Sequence, residues 1–193
     1  MRIFIARHGQ TIYNIEKRIQ GWSDSPLTDL GINQAKQLGE YLKDIDFKIA
    51  YSSDAKRALE TLKLAIADRD IDIIVSDQLR ELSFGEMEGK SYLSDMRDRF
   101  YIGLKEYGGE TNEEVGKRVS DYLSSQYLNH PDDNILVVSH GWAIRSFLRT
   151  IDKKRLDEFF IGNPSTKNCS ISIVDYDGNN FEIKEIFKNV LNT

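Results

Sequence analysis

MRIFIARHG at Met1–Gly9 and NILVVSHG at Asn134–Gly141 decide the fold. Each is a short apolar run that stops at a His-Gly pair. Runs of this length without polar alternation suit strands buried in a sheet. Glycine after each histidine permits a tight turn and a close backbone approach to a ligand. Two such strands in one sheet carry His8 and His140 to the same sheet edge.

Outward from these stretches, strand and helix alternate. Thr28–Lys43 has apolar residues at helical spacing, with Thr28 as N-cap. Ile49–Ser52 is a short strand, Asp54 caps a helix reaching about Ala67, and Ile71–Ser76 is the next strand. Residues 78–109 are irregular, with one helix expected from Ser91. Thr111-x-x-Glu114 is a capping box opening a helix to about Tyr127. Helices start again near Trp142 and at Lys153. Asp177-Gly178 joins two alternating runs into a terminal hairpin. The pattern predicts an α/β fold with a mostly parallel central sheet and helices on both faces. Ligands of such sheets sit at the carboxyl ends of the strands.

The 193 residues suit a single domain spanning 1–193, with a lid or insertion at about 85–111. No stretch approaches the ~20 apolar residues of a membrane span. The first residues lack the long apolar run and cleavage site of a secretion signal. The one cysteine, Cys169, excludes an internal disulfide framework and fits a cytoplasmic setting. A net charge of −5 argues against nucleic acid and anionic membranes as partners. An anionic ligand therefore needs a local cluster of positive groups.

Such a cluster can be assembled. Arg7 precedes His8, and Arg57 opens the helix after the Ile49–Ser52 strand. A guanidinium offers a planar fork matched to phosphate oxygens, and a helix N-terminus favours anions. Glu81 follows the Ile71–Ser76 strand among Leu79, Leu82 and Phe84. Apolar walls raise a carboxyl pKa and make it a proton donor. Glu86 and Glu88 are rival acids, and an ion pair with Arg80 is the alternative use of Glu81. His130 lies in a polar loop and is expected to be exposed. Cys169 reads as structural, and Trp22 as packing or lining the site. The three histidines form no metal-ligand pattern, so no metal and no cofactor are expected.

RHGQT at Arg7–Thr11, Asn14, LTDLG at Leu27–Gly31, SSDAKRALET at Ser52–Thr61, ELSFGEMEG at Glu81–Gly89 and SHG at Ser139–Gly141 follow one another in order. Together these blocks, spanning about Met1–Arg145, resemble the histidine phosphatase superfamily, which holds the cofactor-dependent phosphoglycerate mutases and related phosphatases. The resemblance implies a three-layer α/β/α sandwich of phosphoglycerate-mutase type. It implies His8 as phosphoryl acceptor, with Arg7, Arg57 and His140 around the phosphate; a protonated His140 would add to the positive charge of the two arginines. Glu81 becomes the general acid, Asn14 a hydrogen-bonding partner of substrate or phosphate, and Thr11, Gln20, Gly21 and Gly141 the substrate lining.

Members dedicated to mutase chemistry are longer, with extra arginines for a second phosphate. Here the stretch Gly85–Thr111 holds Met87, Tyr92, Phe100, Tyr101 and Tyr107, with Arg97 and Arg99 its only arginines. That favours a phosphomonoesterase acting on a small phosphorylated metabolite over a mutase-like phosphotransferase. A non-catalytic phosphate-binding module is disfavoured, because His8 and Glu81 are both present. Fructose-bisphosphate, phosphoglycerate, ribazole phosphate and nucleotide-type substrates stay open. The edge of the terminal hairpin leaves room for a homodimer.

Overall fold

The computed structural model describes residues 1–91, 104–162 and 166–191. The strands are β1 (Arg2–Arg7), β2 (Ile49–Ser53), β3 (Ile73–Ser76), β4 (Asn134–Ser139), β5 (Ile171–Tyr176) and β6 (Phe181–Lys188). They form one sheet in the order β3-β2-β4-β1-β5-β6. The pairs among β3, β2, β4 and β1 are parallel, and the terminal hairpin β5–β6 joins antiparallel. The helices are α1 (Ile12–Ile15), α2 (Asp29–Leu42), α3 (Lys56–Ile66), α4 (Asn112–Ser125), α5 (Gly141–Ile151) and α6 (Lys153–Gly162).

Alternate residues of β1 enter two different cores. Ile3 and Ile5 join Val115, Val119, Ile144, Phe147 and Leu156 from α4, α5 and α6. Phe4 and Ala6 join Ala35, Leu38, Ala58 and Leu62 from α2 and α3. The unalternated run is thus explained, because helices cover both faces of the strand. The same division places the ligand crevice. α2, the first long helix after β1, lies on one face and α5, the helix after the adjacent strand β4, on the other. Neighbouring parallel strands whose helices diverge in this way leave a cleft at their carboxyl ends.

Most expected elements stand where the sequence puts them. Thr28 caps α2 through the Gly31 N–H, and Thr111 with Glu114 forms a full capping box on α4. One cap is different. The α3 N-cap is Ala55, with no side-chain hydrogen bond, and the Asp54 carboxylate turns to the Arg80 guanidinium instead (Nε···Oδ1 2.8 Å). The orphan N–H of Lys56 in that first turn is taken by Asp24 at 2.6 Å, a partner remote in sequence. β3 is shorter than expected, beginning at Ile73. The helix expected from Ser91, and Arg97, Arg99, Phe100 and Tyr101 with it, lie outside the described residues. His130 is largely covered, 14 % exposed, with Nδ1 on the Asp133 carboxylate at 3.0 Å, so it is not the free loop residue expected.

Candidate active site

The β1–β4 register pairs Arg7 with Ser139, so the next residues of the two strands, His8 and His140, emerge side by side. Their ring centroids are 5.2 Å apart, and both side chains are buried. His8 Nδ1 lies 2.7 Å from the carbonyl oxygen of Gly9. A carbonyl only accepts, so Nδ1 carries the proton and Nε2 keeps its lone pair in the neutral ring. Burial, then the nearby Arg57 and Arg7 charges, hold the His8 pKa well below the ordinary 6.5. A neutral imidazole with a free Nε2 is a competent nucleophile.

His140 is held neutral for the same reasons, with burial dominant and Arg57 next. The free protein therefore does not carry the positive charge on His140 that the sequence reading allowed. Its Nε2 meets Ser53 Oγ at 2.8 Å, while that hydroxyl accepts the Ala55 N–H. In the tautomer where Ser53 donates to Nε2, Nδ1 is the donor of the ring.

Arg57 is 1 % exposed and is no solvated helix arginine. Its Nη1 donates to Ser23 O and to Asp24 Oδ1 (2.9 Å), and Nη2 donates to Gly21 O. Arg7 Nη1 donates to Thr166 O at 2.5 Å. These contacts engage both tips of Arg57 and Nη1 of Arg7, and they leave Nε of each arginine unsatisfied. Among the described residues, three buried side-chain nitrogens lack a hydrogen-bond partner: Arg7 Nε, Arg57 Nε and His140 Nδ1. Buried donors are normally paired, so orphans gathered at one place mark a ligand site. The two arginine nitrogens are N–H donors, as is His140 Nδ1 in that tautomer, and His8 feels the charge of both arginines. That donor set fits a tetrahedral oxyanion.

Glu81 is 8 % exposed, and burial raises its pKa above the usual carboxylate value. Its Oε1 accepts the Leu82 and Ala143 N–H groups (2.9 and 2.8 Å), and Oε2 accepts that of Trp142 (3.1 Å). These bonds oppose the rise. They also replace the missing side-chain cap of α5, whose N-cap His140 makes no such bond. Arg80 is bound to Asp54, so it is not the ion-pair partner of Glu81. Of the rival acids, Glu86 is exposed, and Glu88 accepts backbone N–H groups of Trp22, Ser23 and Phe84. Glu88 ties the 20–25 loop to the segment carrying Glu81.

The remaining predicted residues lie in the loops and helix starts around these groups. Asn14 closes a capping box with Thr11 at the start of α1. The buried Thr11 donates to Gln20 Oε1, and Gln20 Nε2 donates to Ser25 Oγ, so Thr11 and Gln20 brace the loop. Gly21 has φ +53 and offers its carbonyl to Arg57. A Cβ at Gly141 would lie 3.0 Å from Thr166 Oγ1 and 3.5 Å from Arg7 Nε. Trp22 is 48 % exposed and donates Nε1–H to the Glu81 carbonyl, with Arg80 over its ring.

Sequence reasoning missed three residues. Arg118 on α4 donates to Arg80 O and Glu81 O and to Glu110. Thr166 holds Arg7, and Asn168 reaches His8 O and Asn14. No motif marks them, since most of their partners are distant in the chain.

Residues 3–189 match the family model of the histidine phosphatase superfamily, branch 1. The chain belongs to this superfamily. A probable phosphoglycerate mutase GpmB of Proteus mirabilis (strain HI4320) is 32 % identical over 185 residues, covering 91 % of this chain and 85 % of that protein. The solved structure of Bacillus stearothermophilus YhfR is 30 % identical with a TM-score of 0.85, over 95 % of each chain. A phosphoglycerate mutase structure from Bacillus anthracis (strain Sterne) is 28 % identical with a TM-score of 0.83, over 96 % of this chain and 92 % of that one. As a histidine phosphatase superfamily member, the chain has His8, Arg7, Arg57, Glu81 and His140 at the carboxyl edge of its sheet.

Proposed function

We propose that the chain is a phosphomonoesterase that hydrolyses small phosphorylated metabolites through a phosphohistidine on His8. The observation that carries this is the set of three buried, unpartnered N–H groups on Arg7, Arg57 and His140 beside a neutral His8. Those donors neutralise the equatorial oxygens of a phosphoryl group, and His8 Nε2 attacks phosphorus in line. As the N–P bond forms and the P–O bond breaks, Glu81 gives its proton to the departing alkoxide. An arriving phosphate dianion raises the Glu81 pKa further and keeps that proton in place. Water then attacks phosphorus, its proton goes to the Glu81 carboxylate, and the N–P bond breaks. The positive charge comes from the protein's own groups, so neither metal nor cofactor enters the scheme.

The mutase-named relatives favour a second reading, in which another hydroxyl replaces water. Two observations weigh against it. The described residues supply donors for one phosphate. The arginines on the segments carrying Gln20 and Glu81 are engaged, Arg18 with Glu16 and Arg80 with Asp54.

A panel of phosphorylated metabolites assayed for phosphate release, beside 3- to 2-phosphoglycerate interconversion, tests the reading. Release without interconversion is expected, and interconversion without release would establish the mutase instead. His8→Ala should reduce aryl phosphate hydrolysis to background with its circular dichroism unchanged. Near-normal turnover in that variant would overturn the mechanism, and inactivation by a chelator would overturn the metal-free scheme.

A further inference from the structure

The segment just before β5 folds back onto the nucleophile strand. Cys169 adopts φ +54, a left-handed backbone that residues other than glycine rarely occupy. Its N–H reaches Arg7 O at 3.1 Å and His8 O at 3.4 Å. This turn sends the Asn168 side chain towards the site. Asn168 Nδ2 donates to His8 O at 3.0 Å and to Asn14 Oδ1 at 3.2 Å.

These contacts fix two amide orientations. The His8 carbonyl can only accept, so the Asn168 atom facing it is the NH2 group. The Asn14 atom that meets this NH2 also meets the Thr11 backbone N–H at 3.2 Å. Two pure donors converge on it, so it is the carbonyl oxygen. Asn14 Nδ2 therefore points the other way, and it has no protein partner among the described residues.

We infer that Asn168 is a positioning residue that locks the Asn14 amide with its NH2 directed at the phosphoryl oxygens, so that Asn14 serves as a donor. The inference rests on the proposed phosphotransfer site but concerns only how that site holds phosphate. Without the Asn168 donor, one of the two bonds to Asn14 Oδ1 is lost and the amide can rotate. With a carboxylate at 168, two acceptors face each other, and Asn14 is driven to turn its NH2 inward and its oxygen to the phosphate.

Calorimetric binding of orthophosphate to the full chain tests this, using Asn168→Ala, Asn168→Asp, Asn14→Ala and both double variants. Asn168→Ala should weaken binding about 3- to 10-fold, the worth of one hydrogen bond. The isosteric Asn168→Asp, which keeps the fold if alanine does not, should weaken it about 30-fold or more. In the Asn14→Ala background, the alanine effect should fall within about 2-fold and the aspartate effect should shrink about tenfold. A purely structural role would give losses of equal size in both backgrounds, and that result overturns the inference. So does Asn168→Asp binding as tightly as wild type. Wild type that binds orthophosphate but hydrolyses no ester would remove the proposed function and leave this inference intact. Wild type that binds no orthophosphate would overturn both.

Discussion

His8, His140 and Glu81 show how burial, as the largest cause, assigns roles to titratable groups. The same desolvation that keeps both imidazoles neutral makes the Glu81 carboxyl more reluctant to ionise. The two shifts act in the same sense, favouring a neutral nucleophile beside a protonated acid, as general acid catalysis requires. Glu81→Gln keeps the side-chain volume but cannot lose a proton to the leaving oxygen. Turnover of alkyl phosphates should fall about 10²- to 10⁴-fold, the usual worth of a positioned acid. Hydrolysis of p-nitrophenyl phosphate should suffer much less in the phosphorylation step, because its leaving group departs unprotonated. Burst kinetics on both esters separate that step from dephosphorylation. Equal slowing of the two bursts would show that Glu81 is not the acid.

At the scale of elements, the nucleophile turn is held by a backbone contact with the start of α2. A Cβ at Gly31 would stand 2.1 Å from the carbonyl oxygen of Gln10, and one at Gly9 would stand 2.5 Å from the Gly31 oxygen. An alanine in an open helix position gains about 1 kcal/mol over glycine. Here the neighbour is backbone and cannot yield cheaply, so the sign reverses. Gly31→Ala should destabilise by about 1–3 kcal/mol, as overpacking does, and should lower kcat by displacing His8. Urea denaturation beside steady-state assays checks this, and a stabilised, fully active variant would contradict the close contact. The contact also shows what was legible in the sequence. The LTDLG block was visible, but why its glycine matters was not. β1 and β4 were legible because burial on both faces writes an apolar run directly into the chain. So were Thr28 and Thr111, whose capping partners lie three residues away. Asp54 misled, since it has the right residue type one place before the N-cap, yet Arg80 competes successfully for it. Asn168, Thr166 and Arg118 were illegible for the opposite reason. Their partners, at separations such as the 154 residues between Asn168 and Asn14, come together only in the folded sheet.

Over the whole molecule, the net charge of −5 and the buried cations Arg7 and Arg57 pull in opposite directions, which confines attraction for anions to the cleft. The hairpin edge offered by the sequence as a route to a homodimer is a guarded one. β6 carries the ion-paired Lys184, Glu182, Lys188 and Glu185, and its pairing with β5 is irregular. Charges and irregularities on an edge strand discourage pairing with another chain. The buried site also couples chemistry to global stability. His8 and His140 have folded-state pKa values well below 6.5, so the unfolded chain binds more protons once pH drops through that value. The stability they contribute is complete above about pH 6.5 and is lost as pH falls towards their folded values. Glu81 has the opposite sign. Its raised folded-state pKa contributes stability below the ordinary carboxylate range, and that contribution is lost as pH rises through the raised value. Two histidines against one carboxyl leave a net loss on mild acidification, of up to about 1.4 kcal/mol per pH unit for each histidine. The urea midpoint should therefore drop between about pH 7.5 and about pH 5.5. His140→Gln, which cannot titrate, should flatten that slope. A slope unchanged by that substitution would mean that His140 takes up its proton in the folded protein as readily as in the unfolded chain.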